Sequence, residues 1–147
     1  MITQKPILAI DYGQKRFGLA ISDSKGVIAT PLSVLEVKEK NKTEKIIAEI
    51  LEILQEYRIK TILIGKPQVF QEGYEKTAKK IEKFKEQLEQ KTTLPIIYQD
   101  ESYSTATAQN MLLSLGQNTK STKGKIDMIA ATVFLQEFLN SEERNNV

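Results

Sequence analysis

A chain of 147 residues with a net charge of +2 and 40% hydrophobic side chains has the size of one domain, enough to bury about 70% of its unfolded surface. It contains no cysteine and no histidine, which excludes disulfides, thiol nucleophiles, Ser–His triads, imidazole bases and zinc held by sulfur or imidazole. Any chemistry must rest on carboxylates, lysine, tyrosine, hydroxyls or a bound ion, and carboxylate-only sites suit hard cations such as Mg2+ or Mn2+.

The first apolar stretch, residues 7–11, stops at Tyr12-Gly13 and reads as a buried strand ended by a turn. Residues 16–22 alternate Phe17, Leu19 and Ile21 against Gly18, Ala20 and Ser22. This period of two has a bulky and a small side, so another element is expected to pack closely on the small one. Turn residues 23–26 then make a hairpin with residues 27–37. Residues 41–57 place Ile46, Ile47, Ile50, Leu51 and Leu54 on one helical stripe. Residues 61–65 form an apolar strand closed by Gly65 and Pro67. Helical spacing returns over residues 74–90 through Ala78, Ile81, Phe84 and Leu88, and residues 94–98 form a last strand that delivers Asp100 and Glu101 at its end. Residues 105–115 read as a helix stopped by Gly116, 117–125 as a polar loop, and 126–139 as the final helix. The expectation is a single domain over residues 1–141 with a frayed tail over 142–147. Three strands in a meander, then alternating helices and strands, predict an α/β fold. Its five-stranded mixed sheet is antiparallel first and parallel after, flanked by helices.

Three acids fall at corresponding places in this scheme: Asp11 at the end of the first strand, Glu101 after the last strand, and Asp127 in the first turn of the last helix. If the first strand is central, neighbouring strand ends bring Asp11 and Glu101 within reach of one ion. A helix crossing beside it adds Asp127, because Ala130 and Ala131 allow close approach. Two ions about 3.5–4 Å apart would activate a water and stabilise the leaving oxygen of a phosphodiester. Each acid also has an ordinary role: Asp11 in a turn, Glu101 on the surface, Asp127 beside a helix N-terminus. Taken singly, each acid fits its ordinary role better than the metal site. Lys15 and Arg16 follow Asp11 closely, and Lys120, Lys123 and Lys125 form a basic run just before Asp127. Both groups suit the phosphate backbone and equally suit a solvated surface. The glycine pattern of a P-loop is absent around Gly65-Lys66-Pro67. No run approaches the roughly 20 apolar residues that span a bilayer. The opening MITQKPILAIDYG lacks the apolar core of a secretory signal, so a cytoplasmic protein is expected.

The segment ILAIDYGQKRFGLAISD resembles the opening signature of the YqgF family, whose members carry the names pre-16S rRNA nuclease and Holliday junction resolvase. LIGKP, QDESYSTATAQNML and KSTKGKIDMIAATVFLQEFL resemble later blocks of the same family in the same order, so the likeness spans nearly the whole chain. The resemblance implies a ribonuclease-H-like fold. It also implies that Asp11, Glu101 and Asp127 are the catalytic and metal-holding acids, with Lys15 and Arg16 as the basic residues after the first. Two departures stand out: Ser102 occupies a position where the family usually has arginine, and QVFQEG replaces its leucine–asparagine–x–aspartate–glycine run. Serine cannot match a guanidinium in gripping carboxylate or phosphate.

The leading expectation is a Mg2+- or Mn2+-dependent nuclease acting on structured RNA, a precursor of 16S rRNA processed at its 5′ end during ribosome biogenesis. The alternatives are a junction-cutting DNA endonuclease and a non-catalytic nucleic-acid-binding module of the same fold. An actin- or hexokinase-like phosphotransferase is set aside, because it needs two domains and a second Asp-x-Gly loop that this chain lacks.

Overall fold

The structure, a computed structural model, describes residues 3–13, 15–38, 42–66, 73–100 and 122–145. Its strands are β1 (Ile7–Asp11), β2 (Arg16–Ser22), β3 (Ala29–Glu36), β4 (Thr61–Lys66) and β5 (Ile96–Asp100). Its helices are α1 (Lys42–Glu56), α2 (Tyr74–Glu89) and α3 (Thr122–Asn145). The strands form one sheet of order β3-β2-β1-β4-β5, antiparallel from β1 through β3 and parallel from β1 through β5. This is the mixed sheet expected from the meander followed by crossovers. Strand β1 stands at its centre.

The period of two along β1 divides the core. Leu8 and Ile10 pack with Ile62 and Ile64 of β4 beneath Ile46, Ile50, Ile81 and Phe84 of α1 and α2. Ile7 and Ala9 face the other way, with Ala20, Leu63 and the α3 residues Ala131, Phe134, Leu135 and Leu139. Strands covered on both sides need apolar residues at every position, which is why β1 and β4 read as unbroken apolar runs. The small side of β2 meets the close neighbour its sequence calls for: Ala20 lies in the same buried cluster as Ala131.

Several boundaries differ from the sequence reading. β4 extends to Lys66, and β5 begins at Ile96 and runs to Asp100, which pairs with Lys66. Helix α3 starts at Thr122, so Lys123 and Lys125 belong to its first turns rather than to a loop. A single glycine, here Gly124, costs a helix only about 1 kcal/mol, too little to stop one anchored by tertiary packing. The same helix continues past Leu139 to Asn145, over residues read as a frayed tail. There Glu142 accepts hydrogen bonds from the Thr3 backbone N–H (3.0 Å), the Thr3 hydroxyl (2.6 Å) and Lys5 Nζ (2.6 Å). The helix foreseen over residues 105–115 lies outside the described residues.

Candidate active site

Asp11 is the last residue of the central strand and is half-buried. By alternation it shares the side of Ile7 and Ala9, the side that α3 covers. Its partner across the antiparallel ladder is Gly18 of β2. On the other flank Gly65 follows Ile64, the partner of Ile10. Neither Gly18 nor Gly65 carries a side chain. The chain then turns sharply: a Cβ at Gly13 would overlap the backbone carbonyl of Arg16, so the residue after Tyr12 has to be glycine.

Helix α3 runs antiparallel to β1, since its Glu142 is tied to Thr3 and Lys5 just ahead of the strand. Asp127 stands fifteen residues before Glu142, about 22 Å back along a helix rising 1.5 Å per residue. Asp11 stands six residues after Lys5, about 20 Å forward along a strand. The two lengths are similar, so a helix aligned with the strand would bring its backbone at Asp127 level with the end of β1. Asp127 also precedes Ala131 by four residues and Phe134 by seven, the spacing of one helical stripe, and both are fully buried against the sheet. The side chains of Asp127, Lys123 and Lys125 are not among those described, and Glu101 and Lys120 lie outside the described residues altogether.

Lys15 is exposed, and its carbonyl accepts a hydrogen bond from the Val37 N–H at 2.9 Å. Arg16 opens β2 opposite Glu36 and is half-buried. Both follow the turn at Asp11 directly. The donor set foreseen for a cation is all carboxylate oxygen, which fits a hard divalent ion. Among the described residues no group of three or more acidic side chains could hold a metal ion.

Sequence reasoning missed the environment of Tyr12. Instead of simply ending the strand, its ring returns to the α1–α2 side, edge-on to Phe17 (centroids 4.8 Å apart, interplanar angle 71°) and 5.6 Å from Phe84. Burial raises its phenol pKa. Aromatic residues at 12, 17 and 84 were the available signal, but their convergence needs the tertiary fold. Also missed was Tyr98, flanked by the ammonium groups of Lys66 (4.7 Å) and Lys85 (5.0 Å) over its ring. Burial raises its pKa, with Glu82, Glu89 and Glu86 adding to the effect.

The model of the family RuvX, described as "Holliday junction resolvase", matches residues 5–141. The chain belongs to the RuvX/YqgF family. One relative in this family, from Rickettsia typhi, is named "Putative pre-16S rRNA nuclease" and is 37% identical over 147 residues, covering 100% of this chain and 92% of its own. Another of the same name, from Lachnospira eligens, is 33% identical over 138 residues, covering 94% and 99%. Among solved structures, RuvC of T. thermophilus in complex with a Holliday junction substrate has a TM-score of 0.62 at 17% identity, covering 93% of this chain and 94% of that one. The fowlpox virus resolvase bound to Holliday junction DNA has a TM-score of 0.56 at 16% identity, covering 93% and 98%. These likenesses establish the ribonuclease-H-like fold that the signature implied. The RuvX/YqgF chain is therefore a member of a nuclease family, and no helix among its described residues is long and apolar enough to cross a membrane.

Proposed function

We propose that this protein hydrolyses phosphodiester bonds of structured RNA with the help of divalent metal, and that its substrate is the 5′ region of a 16S rRNA precursor in the cytoplasm. One observation carries the reading: Asp11 ends the central strand opposite Gly18, on the side of the sheet that α3 covers. Asp11, Glu101 and Asp127 would hold Mg2+ or Mn2+, which supplies a nucleophile at neutral pH and stabilises charge on the leaving oxygen. Glu101 enters as the acid that directly follows β5 in the sequence. Lys15, Arg16, Lys120, Lys123 and Lys125 would neutralise and orient the phosphate backbone around the carboxylates. The relatives named for pre-16S rRNA support the RNA substrate. A second reading, cleavage of branched DNA, is favoured by the family description and by the resolvase folds.

The test pairs the wild type with Asp11→Asn on rRNA precursors and on four-way DNA junctions, with Mg2+, with Mn2+ and with EDTA. Metal-dependent cutting of RNA by the wild type, lost by at least a thousandfold (about 4 kcal/mol of barrier) in Asp11→Asn, is the expected result. Equal cutting by both proteins, or cutting that persists in EDTA, would reject the assigned acids.

A further inference from the structure

On the opposite side of the sheet from Asp11, an open cavity of about 320 Å³ lies among the end of β1, the start of α1 and α2. Tyr12 and Phe17 form an aromatic wall, Thr43 and Ile46 of α1 stand across from it, and Lys80 of α2 lines its edge. The volume sits at the lower end of the roughly 300–1,000 Å³ found for small-molecule sites, with room for one planar ring system. The mix of one aromatic wall, one hydroxyl and one ammonium is the lining that a base and its phosphate require.

The charge on α2 points the same way. Lys76, Lys80 and Lys83 repeat at the spacing of a single helix flank, and Lys80 brings that flank to the cavity. Glu82, Glu86 and Glu89 occupy the other flank, where they line a separate hollow beside Tyr98 and Lys66. Positive charge thus lies toward Tyr12, whereas at the β5 edge Lys66 and Lys85 partly offset the glutamates. A polyanion approaching Asp11 is attracted to the flank of Lys76, Lys80 and Lys83.

We propose that this cavity is a subsite for one unstacked nucleotide of the bound strand, its base against Tyr12 and its phosphate on Lys80 and the neighbouring lysine flank. The proposal rests on the nuclease reading only in taking a nucleic-acid strand to lie at Asp11. Because Asp11 and Tyr12 are adjacent and face opposite sides of the sheet, a strand crossing the end of β1 would have its reactive phosphate on one side and a splayed base on the other. Stacking on Tyr12 tolerates any base, since each has a π-face.

The test uses a single-stranded oligouridylate carrying one 2-aminopurine and a terminal fluorescein, in EDTA so that nothing is cut. Binding is read by anisotropy and base insertion by quenching of the 2-aminopurine. Quenching is expected in the wild type and in Asp11→Asn, and should persist in Tyr12→Phe. It should disappear in Tyr12→Leu, with affinity about tenfold weaker, and also in Thr43→Met, which fills the cavity from α1 while leaving the aromatic cluster whole. RNA that binds without quenching at any 2-aminopurine position, equal quenching in Thr43→Met, or failure to bind RNA would each overturn the subsite. The metal site is judged separately, by cleavage of the rRNA precursor in Mg2+. Quenching without cleavage would leave the subsite standing and sink the catalytic reading, whereas cleavage without quenching would do the reverse.

Discussion

If helix α3 completes the site, pushing its first half off the sheet should damage catalysis more than it damages stability. Ala131 is the place to push: it is fully buried in one cluster with Ala9, Ala20 and Leu63, and it lies one helical turn from Asp127. Ala131→Leu adds three carbon groups where nothing but close-packed side chains surrounds them. Overpacking of this kind costs about 1–3 kcal/mol, which a domain stable by about 5–15 kcal/mol survives. The relief available to the protein is to lift α3 from the end of β1. A misplacement of about 1 Å in a catalytic group can lower the rate on the order of a hundredfold. Leu139→Ala is the control, because it removes buried carbons at the far end of the same helix and costs a comparable or larger amount, about 2–5 kcal/mol, without forcing the helix outward. The assay combines urea unfolding with single-turnover cleavage of an RNA precursor. Ala131→Leu should stay folded and cut about a hundred times more slowly, while folded Leu139→Ala should cut within a few-fold of the wild type. A folded Ala131→Leu protein with wild-type cleavage, or equal losses in both variants, would refute a role for α3 at the site.

Three further outcomes follow from other parts of the fold. Burial raises the pKa of Glu142, but hydrogen bonds from Lys5 and Thr3 outweigh it and hold the carboxyl below its ordinary value of 4.5. Its contribution is therefore whole above that value and is lost as pH falls through the lowered one. The side chain is 16% exposed, so Glu142→Gln should cost about 1–2 kcal/mol at pH 7, and chemical denaturation should show the gap to wild type closing in acid. Arg58, at φ 53°, ends α1 in a left-handed cap in which the Ile59 N–H donates to the Leu54 carbonyl and the Arg58 N–H to that of Gln55. Arg58→Gly should raise stability by about 0.5–1 kcal/mol, the relief of left-handed strain exceeding the added freedom of the unfolded chain, read as a higher Tm. Gly13→Ala should destabilise by about 1–3 kcal/mol and depress cleavage, since its Cβ would collide with the Arg16 carbonyl; wild-type stability in a thermal melt would contradict the close turn.

The sheet was legible because its signals are local. Unbroken apolar runs mark β1 and β4 as covered on both sides, and the small residues Gly18 and Ala20 announce a close neighbour before that neighbour is known to be α3. Asp11 could be placed at a strand end for the same reason. Long-range packing was not legible: nothing near Glu142 in sequence announces Thr3 and Lys5, so residues anchored across 139 and 137 positions read as a loose tail. Likewise Gly124 and the polar residues around it look like a loop until the buried stripe from Ile129 to Leu139 is seen to carry the helix back to Thr122. Tyr12 looked like a turn residue because its partners, Phe17 and Phe84, come from separate elements. Glu101 and the side chain of Asp127 lie outside the described residues, so their place beside Asp11 belongs to the proposed function.

The division of β1 between two helical layers has a bearing on assembly. While α3 is undocked, Ile7, Ala9, Ala20 and Leu63 form a bare greasy plane on one side of an otherwise finished α/β sandwich. Closing it requires contacts between segments more than a hundred residues apart, which are slow to find. A half-built molecule of this kind is sticky, so overproduction at high temperature should favour inclusion bodies, and substitutions that weaken α3 docking should lower soluble yield before they lower the specific activity of the molecules that fold.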